Sequence, residues 1–296
     1  MESRQDVCLS VDSANPHADE YPGFVSGNLN GTTLIVPIPL TTARRVIPAA
    51  YGILEHTYRA LLPSFPQDAY PMMAVGVHDH DIQFPAYGAH PADFSRAALE
   101  FPFIDILGDN YSSYRWAATM MITAGNDVAI LGSEGFGITV YPGTFDPPCD
   151  AYAYYTPSSP EDNSSNMTHY FQAATTTTDD DGGRLVSLQT APTEGLLDPW
   201  GIAFLKNITN QPVFANDTAV CDNYQRLFNT SLTLPPNDPV PVRGRVEARI
   251  EPFADADSTG SQIWENGVFG WRVSTAFLEP PVAASCASLK GYSGDW

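Results

Sequence analysis

The chain has 296 residues, with 34 acids against 14 bases and a formal charge of −20. That charge repels phosphate backbones and anionic lipid surfaces, which argues against a nucleic-acid or membrane partner. No apolar run reaches the roughly 20 residues that span a bilayer, so a soluble chain is expected.

The length suffices for one large domain with a substantial core, and 26 prolines and 22 glycines cut the chain into short pieces that favour strands and loops. The whole reads as a single domain, 1–296. Residues 1–33 are polar and form an extended N-terminal arm that Cys8 ties down. The core follows over 34–150. An apolar strand at 34–39 leads to a short helix, 43–47, which Thr41 or Thr42 can cap and Pro48 interrupts. An amphipathic piece over 49–62 ends at Pro63 and Pro66.

Residues 72–84 alternate as a strand. Gly76, His78, His80, Ile82 and Phe84 share one face, and Val77, Asp79, Asp81 and Gln83 the other. Residues 94–107 place Glu100 in an apolar context, and 114–123 is a β-favouring run with Arg115 near its start. At 131–146 three glycines join an apolar run, 128–131, to a β-favouring run, 137–141. Glycines this dense permit positive φ or close backbone approach. The stretch reads as a hairpin turn with an exposed Glu134, or as a pocket wall that fixes that carboxylate.

Residues 151–183 are rich in Ser, Thr, Asn and Asp and form a loop-rich excursion. The remaining strands lie in 184–296: alternation at 184–190, 242–250 and 268–278 predicts strands, and 223–228 suggests a short helix. No internal repeat is present.

Glu100 and Glu134 are the acid/base candidates, since apolar or glycine-rich surroundings displace a carboxyl pKa. Arg115 could polarise a carbonyl or hold an anionic oxygen, or simply close an internal ion pair. Tyr114, Trp116, Phe136, Val140 and Tyr141 are candidates to line a substrate cavity. His78 and His80 have the spacing of two metal ligands, but need a third such as His56, His90 or Glu100; otherwise they sit on an exposed strand face. The expectation is no metal and no cofactor. Residues 255–260 are a fragment of a calcium-loop pattern without its closing acid, and read as a turn. Gly132-Ser133-Glu134-Gly135 lacks the spacing of a hydrolase nucleophile elbow.

Sequons stand at Asn30, Asn110, Asn163, Asn166, Asn207, Asn216 and Asn229. Four widely spaced cysteines, Cys8, Cys149, Cys221 and Cys286, beside many sequons read as two disulfides in a secreted or secretory-pathway glycoprotein, with three connectivities open. The first residues, Met-Glu-Ser-Arg, are polar, so such a chain is expected to have exchanged its signal peptide for a start methionine.

The order of features resembles the acetoacetate decarboxylase-like superfamily. It runs from an apolar strand through Ala43-Arg44-Arg45-Val46-Ile47-Pro48, a strand, Glu100 and the run from Arg115 to Thr123. It ends on Gly132-Ser133-Glu134-Gly135-Phe136-Gly137, where the family has Gly-Arg-Glu-x-x-Gly, then an aromatic residue, proline and lysine. The resemblance covers residues 34–150 and, more loosely, the terminal strands. It implies an α+β, mainly antiparallel β fold, a cone-like β-barrel enclosing an apolar pocket with a few peripheral helices. It also implies a lysine that forms a Schiff base with a ketone, near glutamates that Glu100 and Glu134 match.

The lysine is missing: Ile138-Thr139-Val140 follow Gly137. The only lysines are Lys206, directly before a sequon, and Lys290, in a Gly/Ser-rich tail, whereas an amine nucleophile needs a desolvated pocket or a cationic neighbour. The expected function is therefore a small-molecule enzyme without Schiff-base chemistry, a lyase, isomerase or cyclase. It would act on an apolar carbonyl-containing secondary metabolite by pocket shape, hydrogen bonding and Glu acid/base chemistry: cyclisation, dehydration, isomerisation or a pericyclic step. The alternative is a non-catalytic secreted small-molecule-binding protein.

Overall fold

The computed structural model describes Cys8 and residues 14–154, 167–175, 183–193, 199–216, 219–254 and 260–291. Asn163, Asn166 and most of the turn expected at 255–260 lie outside the described residues.

Nine strands close into a barrel: β1 (Val25–Pro39), β2 (Ala69–Gln83), β3 (Phe94–Asp105), β4 (Thr119–Thr123), β5 (Thr139–Asp146), β6 (His169–Thr175), β7 (Leu185–Pro192), β8 (Val240–Arg249) and β9 (Phe269–Glu279). The order round the barrel is β3-β2-β1-β9-β8-β7-β6-β5-β4, and β4 returns to β3. Closure leaves none of these strands with an unpaired edge. Every neighbouring pair is antiparallel except β4 and β5. Among the described residues four short α-helices accompany the barrel: α1 (Leu40–Val46), α2 (Glu55–Leu61), α3 (Asp127–Gly135) and α4 (Ile202–Thr209). The expected mainly antiparallel α+β barrel is therefore present.

The parallel pair corrects the hairpin expected at 131–146. Asn126 caps α3 by accepting from the Ala129 backbone N–H at 3.2 Å. Gly137, at φ +84°, ends it, donating its N–H to the Glu134 carbonyl at 2.8 Å. The stretch from β4 to β5 is thus a helical crossover, and a crossover delivers the next strand parallel. The short helix expected at 223–228 is also overturned: Gln225–Leu227 is extended and pairs with β9. Asn210 holds it there, accepting from Arg226 N at 2.8 Å and donating to Arg226 O at 3.1 Å. β1 starts at Val25, inside the expected arm, and is paired with β9 and β2 on its two sides. β6 is a barrel strand within the expected excursion.

Side chains fill the lumen. A Cβ on Gly76 would come within 2.6 Å of the Phe171 ring from β6, and one on Gly244 within 2.6 Å of Leu34, so both positions require glycine. Alternation along β2 sends His78 and His80 inward with Gly76, and Val77 and Asp79 outward. The outer wall of β9 is covered by α4 and the segment around Phe228. Two disulfides are formed, Cys8–Cys149 and Cys221–Cys286. The second anchors the covering layer to the chain just after β9, where 220–221 pairs with 284–285. Among the described residues no helix is long and apolar enough to cross a membrane.

Candidate active site

A cavity of about 510 Å³ lies between the outer wall of β2, β3 and β9 and a cover made by α3, Val213, the segment 222–224 and the loop 280–283. Its size suits a small organic molecule. Phe94, Met120, Ile138 and Phe277 make its walls apolar, and the exposed side chains of Val128, Leu131 and Val282 belong to its lining. The floor is charged: Asp79, Arg96, Glu100, Arg115, Asp222 and Glu279.

Strand geometry assembles that floor. The two-residue period of β3 puts Arg96 and Glu100 on one face, and the β2–β3 register pairs Val77 with Arg96 and Asp79 with Phe94. Arg96 donates Nε and Nη2 to the Asp79 carboxylate at 2.8 and 3.2 Å, and Nη2 also to the Tyr224 hydroxyl at 3.0 Å. Burial opposes the Arg96 charge, but Asp79, Tyr224 and Glu100 together outweigh it and hold the guanidinium firmly protonated. Arg115 comes from the short strand Tyr114–Trp116, which pairs in parallel with Val213–Phe214. Its Nη1 lies 3.0 Å from Glu100 Oε2, and the two residues are 4% and 5% exposed. The approach has ion-pair distance without hydrogen-bond alignment, so Glu100 Oε2 and Arg115 Nε keep unused hydrogen-bonding capacity.

Asp222 and Glu279 complete the floor. The Asp222 backbone exchanges two 2.8 Å hydrogen bonds with Val213, and its Oδ1 has no hydrogen-bond partner among the described residues. Burial, then the nearby Glu279 charge, raises the Asp222 carboxyl well above its usual range. Burial pushes Glu279 up to about 7, with Arg96 opposing the rise and Asp79 adding to it. Arg226 sits in the same field beside Arg96, Arg115 and Glu100, and burial lowers its pKa. Four carboxyls, Asp79, Glu100, Asp222 and Glu279, therefore meet three guanidiniums, Arg96, Arg115 and Arg226, and guanidinium stays charged in proteins. Burial and mutual repulsion thus raise the carboxyls of Asp222 and Glu279, which favours their protonated forms relative to an exposed acid.

The structure brings together only part of what the sequence suggested. Glu100 and Arg115 meet on the floor, and Phe136 lines the wall. Glu134 is exposed on α3 and outside the cavity lining. Tyr114 is buried elsewhere, donating its hydroxyl to Cys286 O at 2.7 Å, and Trp116 packs against Tyr51 and Phe101. Val140 belongs to an apolar cluster with Met120 and Ile138, and the Tyr141 ring lies under the Arg184 guanidinium. None of these four lines the cavity. His78 and His80 face the lumen rather than an exposed surface, and burial, with His80 adding to it, holds the His78 imidazole down to about 4. His56 and His90 are exposed.

Asp79, Arg96, Asp222, Tyr224, Arg226 and Glu279 escaped the sequence reading. The period-two series Asp222, Tyr224, Arg226 was its visible signal, hidden by the helical reading of 223–228. Neither lysine lines the cavity. Lys206 Nζ lies over the Phe228 ring, 5.4 Å from its centroid, and Lys290 is exposed beside Asp109.

Fold and site together define a closed β-barrel with a charged-floored, small-molecule-sized cavity on its outer wall. No protein-family model matches the chain, and no curated protein sequence matches it. Among solved structures, an acetoacetate decarboxylase-like enzyme from Sphingomonas wittichii RW1 aligns over 96% of this chain and 98% of its own, with TM-score 0.50 and 11% identity. The enduracididine biosynthesis enzyme MppR with HEPES buffer bound aligns over 89% of this chain and 87% of its own, with TM-score 0.48 and 11% identity. Acetoacetate decarboxylase from Legionella pneumophila aligns over 88% and 85%, with TM-score 0.47 and 10% identity. The chain has the acetoacetate decarboxylase-like fold.

Proposed function

We propose that this protein is an enzyme that moves protons on an apolar, carbonyl-bearing small molecule without forming a Schiff base. The carrying observation is the charged floor of the cavity, where the raised carboxyls of Asp222 and Glu279 line the same volume as the Glu100–Arg115 ion pair. A carboxyl poised near neutral pH can give or take a proton, and the guanidinium can hold the oxygen on which charge develops. Cyclisation, dehydration and isomerisation of a polyketone-like compound all consist of such transfers, and apolar walls hold a folded substrate in a reactive shape. No lysine reaches the cavity in the described residues, so the amine route open to the fold's enzymes with a lysine is replaced by carboxyl chemistry. The two disulfides and the exposed sequon asparagines Asn110, Asn216 and Asn229 support a secreted glycoprotein. Asn30 is a poor glycan acceptor, because its amide is held between His80 and Asp150.

The test uses an apolar cyclic ketone in D₂O as probe, with α-proton exchange followed by NMR. The protein should accelerate exchange, and Glu279→Gln and Asp222→Asn should each lower that rate by about 100-fold or more, the range of one general acid–base group. Glu134→Gln should leave it unchanged. Binding of the ketone without any exchange would instead make the protein a carrier.

A further inference from the structure

The lumen face of β2 presents a second cluster that the cavity chemistry does not use. His78, His80 and Asp93 each offer one ligand atom, and these atoms lie within 4.8 Å of one another. All are deep in the protein: His78 is 1% and Asp93 8% exposed, and the His80 side chain is 14% exposed. The two imidazoles meet edge to face, with centroids 4.6 Å apart.

The hydrogen bonds around them are directional. Asn30 Nδ2 donates to Asp150 Oδ1 at 3.3 Å, and a carboxylate can only accept. That turns the Asn30 amide oxygen towards His80 Nε2, 2.7 Å away, so Nε2 carries the hydrogen. His80 Nδ1 then faces Asp93 Oδ2 across 3.2 Å. Between that nitrogen and the carboxylate oxygen there is a place for a cation, a proton or a metal ion. Asp93 is itself fixed, since its Oδ1 accepts the Asp81 backbone N–H at 3.0 Å. On the other ring, His78 Nδ1 is anchored on the Ser95 hydroxyl at 2.7 Å, which orients its Nε2 edge. Each imidazole thus has one nitrogen tied to an oxygen, the arrangement by which outer partners set the tautomer of metal-ligating histidines.

We propose that His78, His80 and Asp93 bind a divalent transition-metal ion of the zinc type, with Asn30 and Ser95 as the outer partners that orient the imidazoles. Two nitrogens and one carboxylate oxygen suit such an ion and leave a fourth position for water. Bonds of about 2 Å require the three ligand atoms to draw together by roughly 1 Å, a rotamer-scale movement. The ion would join β1, β2 and the start of β3 at one end of the barrel. It is independent of the outer cavity, because it sits on the opposite face of the wall.

The test is calorimetric titration of the full chain with Zn²⁺ after chelator treatment, together with Co²⁺ absorption as a coordination readout. One ion per chain should bind, with visible Co²⁺ bands of a four-coordinate site and a higher melting temperature. His80→Gln and Asp93→Asn should abolish binding. Ser95→Ala, which removes an outer partner, should weaken it by about 10-fold while leaving the ligands in place, and it serves if a ligand variant fails to fold. No binding by the native chain, or the same affinity in all variants that fold by near-ultraviolet circular dichroism, overturns the proposal. So does a ¹⁵N spectrum in which His80 is doubly protonated and unchanged by Zn²⁺, which would make the pair with Asp93 a proton-filled hydrogen bond.

Discussion

The two faces of β2 bury polar groups in different ways. Inward, His78 and His80 are held by neutral partners and a single carboxylate, Asp93. Outward, Asp79 joins a field of four carboxyls and three guanidiniums around a cavity. Neighbouring residues of one strand thus enter separate chemistries, because the pleat sends alternate side chains to opposite sides of the wall. The inward face is closed by packing, as Phe171 against Gly76 shows, whereas the outward face keeps open volume above its charges. A packed face specifies the fold; an open charged face is what a ligand can use.

Three experiments sharpen that contrast, in falling order of expected effect. Arg115→Ala leaves the Glu100 carboxylate buried without its ion-pair partner, and should cost about 3–5 kcal/mol in urea unfolding. Arg115→Met with Glu100→Leu should restore much of that stability while abolishing probe exchange, which separates the pair's structural cost from its chemical use. If the single and double variants are equally unstable, Glu100 and Arg115 act through the wider charge field rather than as a pair.

On the inward face, Gly76→Val would drive a branched side chain into Phe171 and Leu188, so overpacking should cost about 1–3 kcal/mol. A native-like stability in that variant would show that the lumen has slack.

The third experiment is a pH series. Glu279 has its pKa raised from 4.5 to about 7, so between those values the folded chain keeps a proton that the unfolded chain has released. This group's contribution therefore lowers stability as pH rises through that window, fully so above about 7 and not at all below about 4.5. Subtracting the Glu279→Gln profile from that of the parent protein should reveal this falling slope. Coincident profiles would show that Glu279 titrates alike in the folded and unfolded chain.

Part of the site was legible because its signals are local. Glu100 in an apolar run and Arg115 at the head of a β-favouring run met as expected, and β2 followed its alternation. Glu134 lies outside the cavity for an equally local reason: glycines suggested a turn, but Asn126 and Gly137 define the two ends of a helix, which carries Glu134 into solvent. Asp222 and Glu279 were not legible, because the displacement of their pKa values comes from burial and from each other, 57 residues apart in sequence.

By itself the sequence determined the barrel class, through short alternating strands and the resemblance of residues 34–150, and the absence of a reactive lysine after Gly137. The pairing of four cysteines into two bridges was equally within its reach, though not which with which. Tertiary structure alone decided the disulfide partners, the parallel crossover and the composition of the cavity floor. Strand propensity and residue type act over a few neighbours, whereas a desolvated charge cluster exists only once distant segments have excluded water from between them.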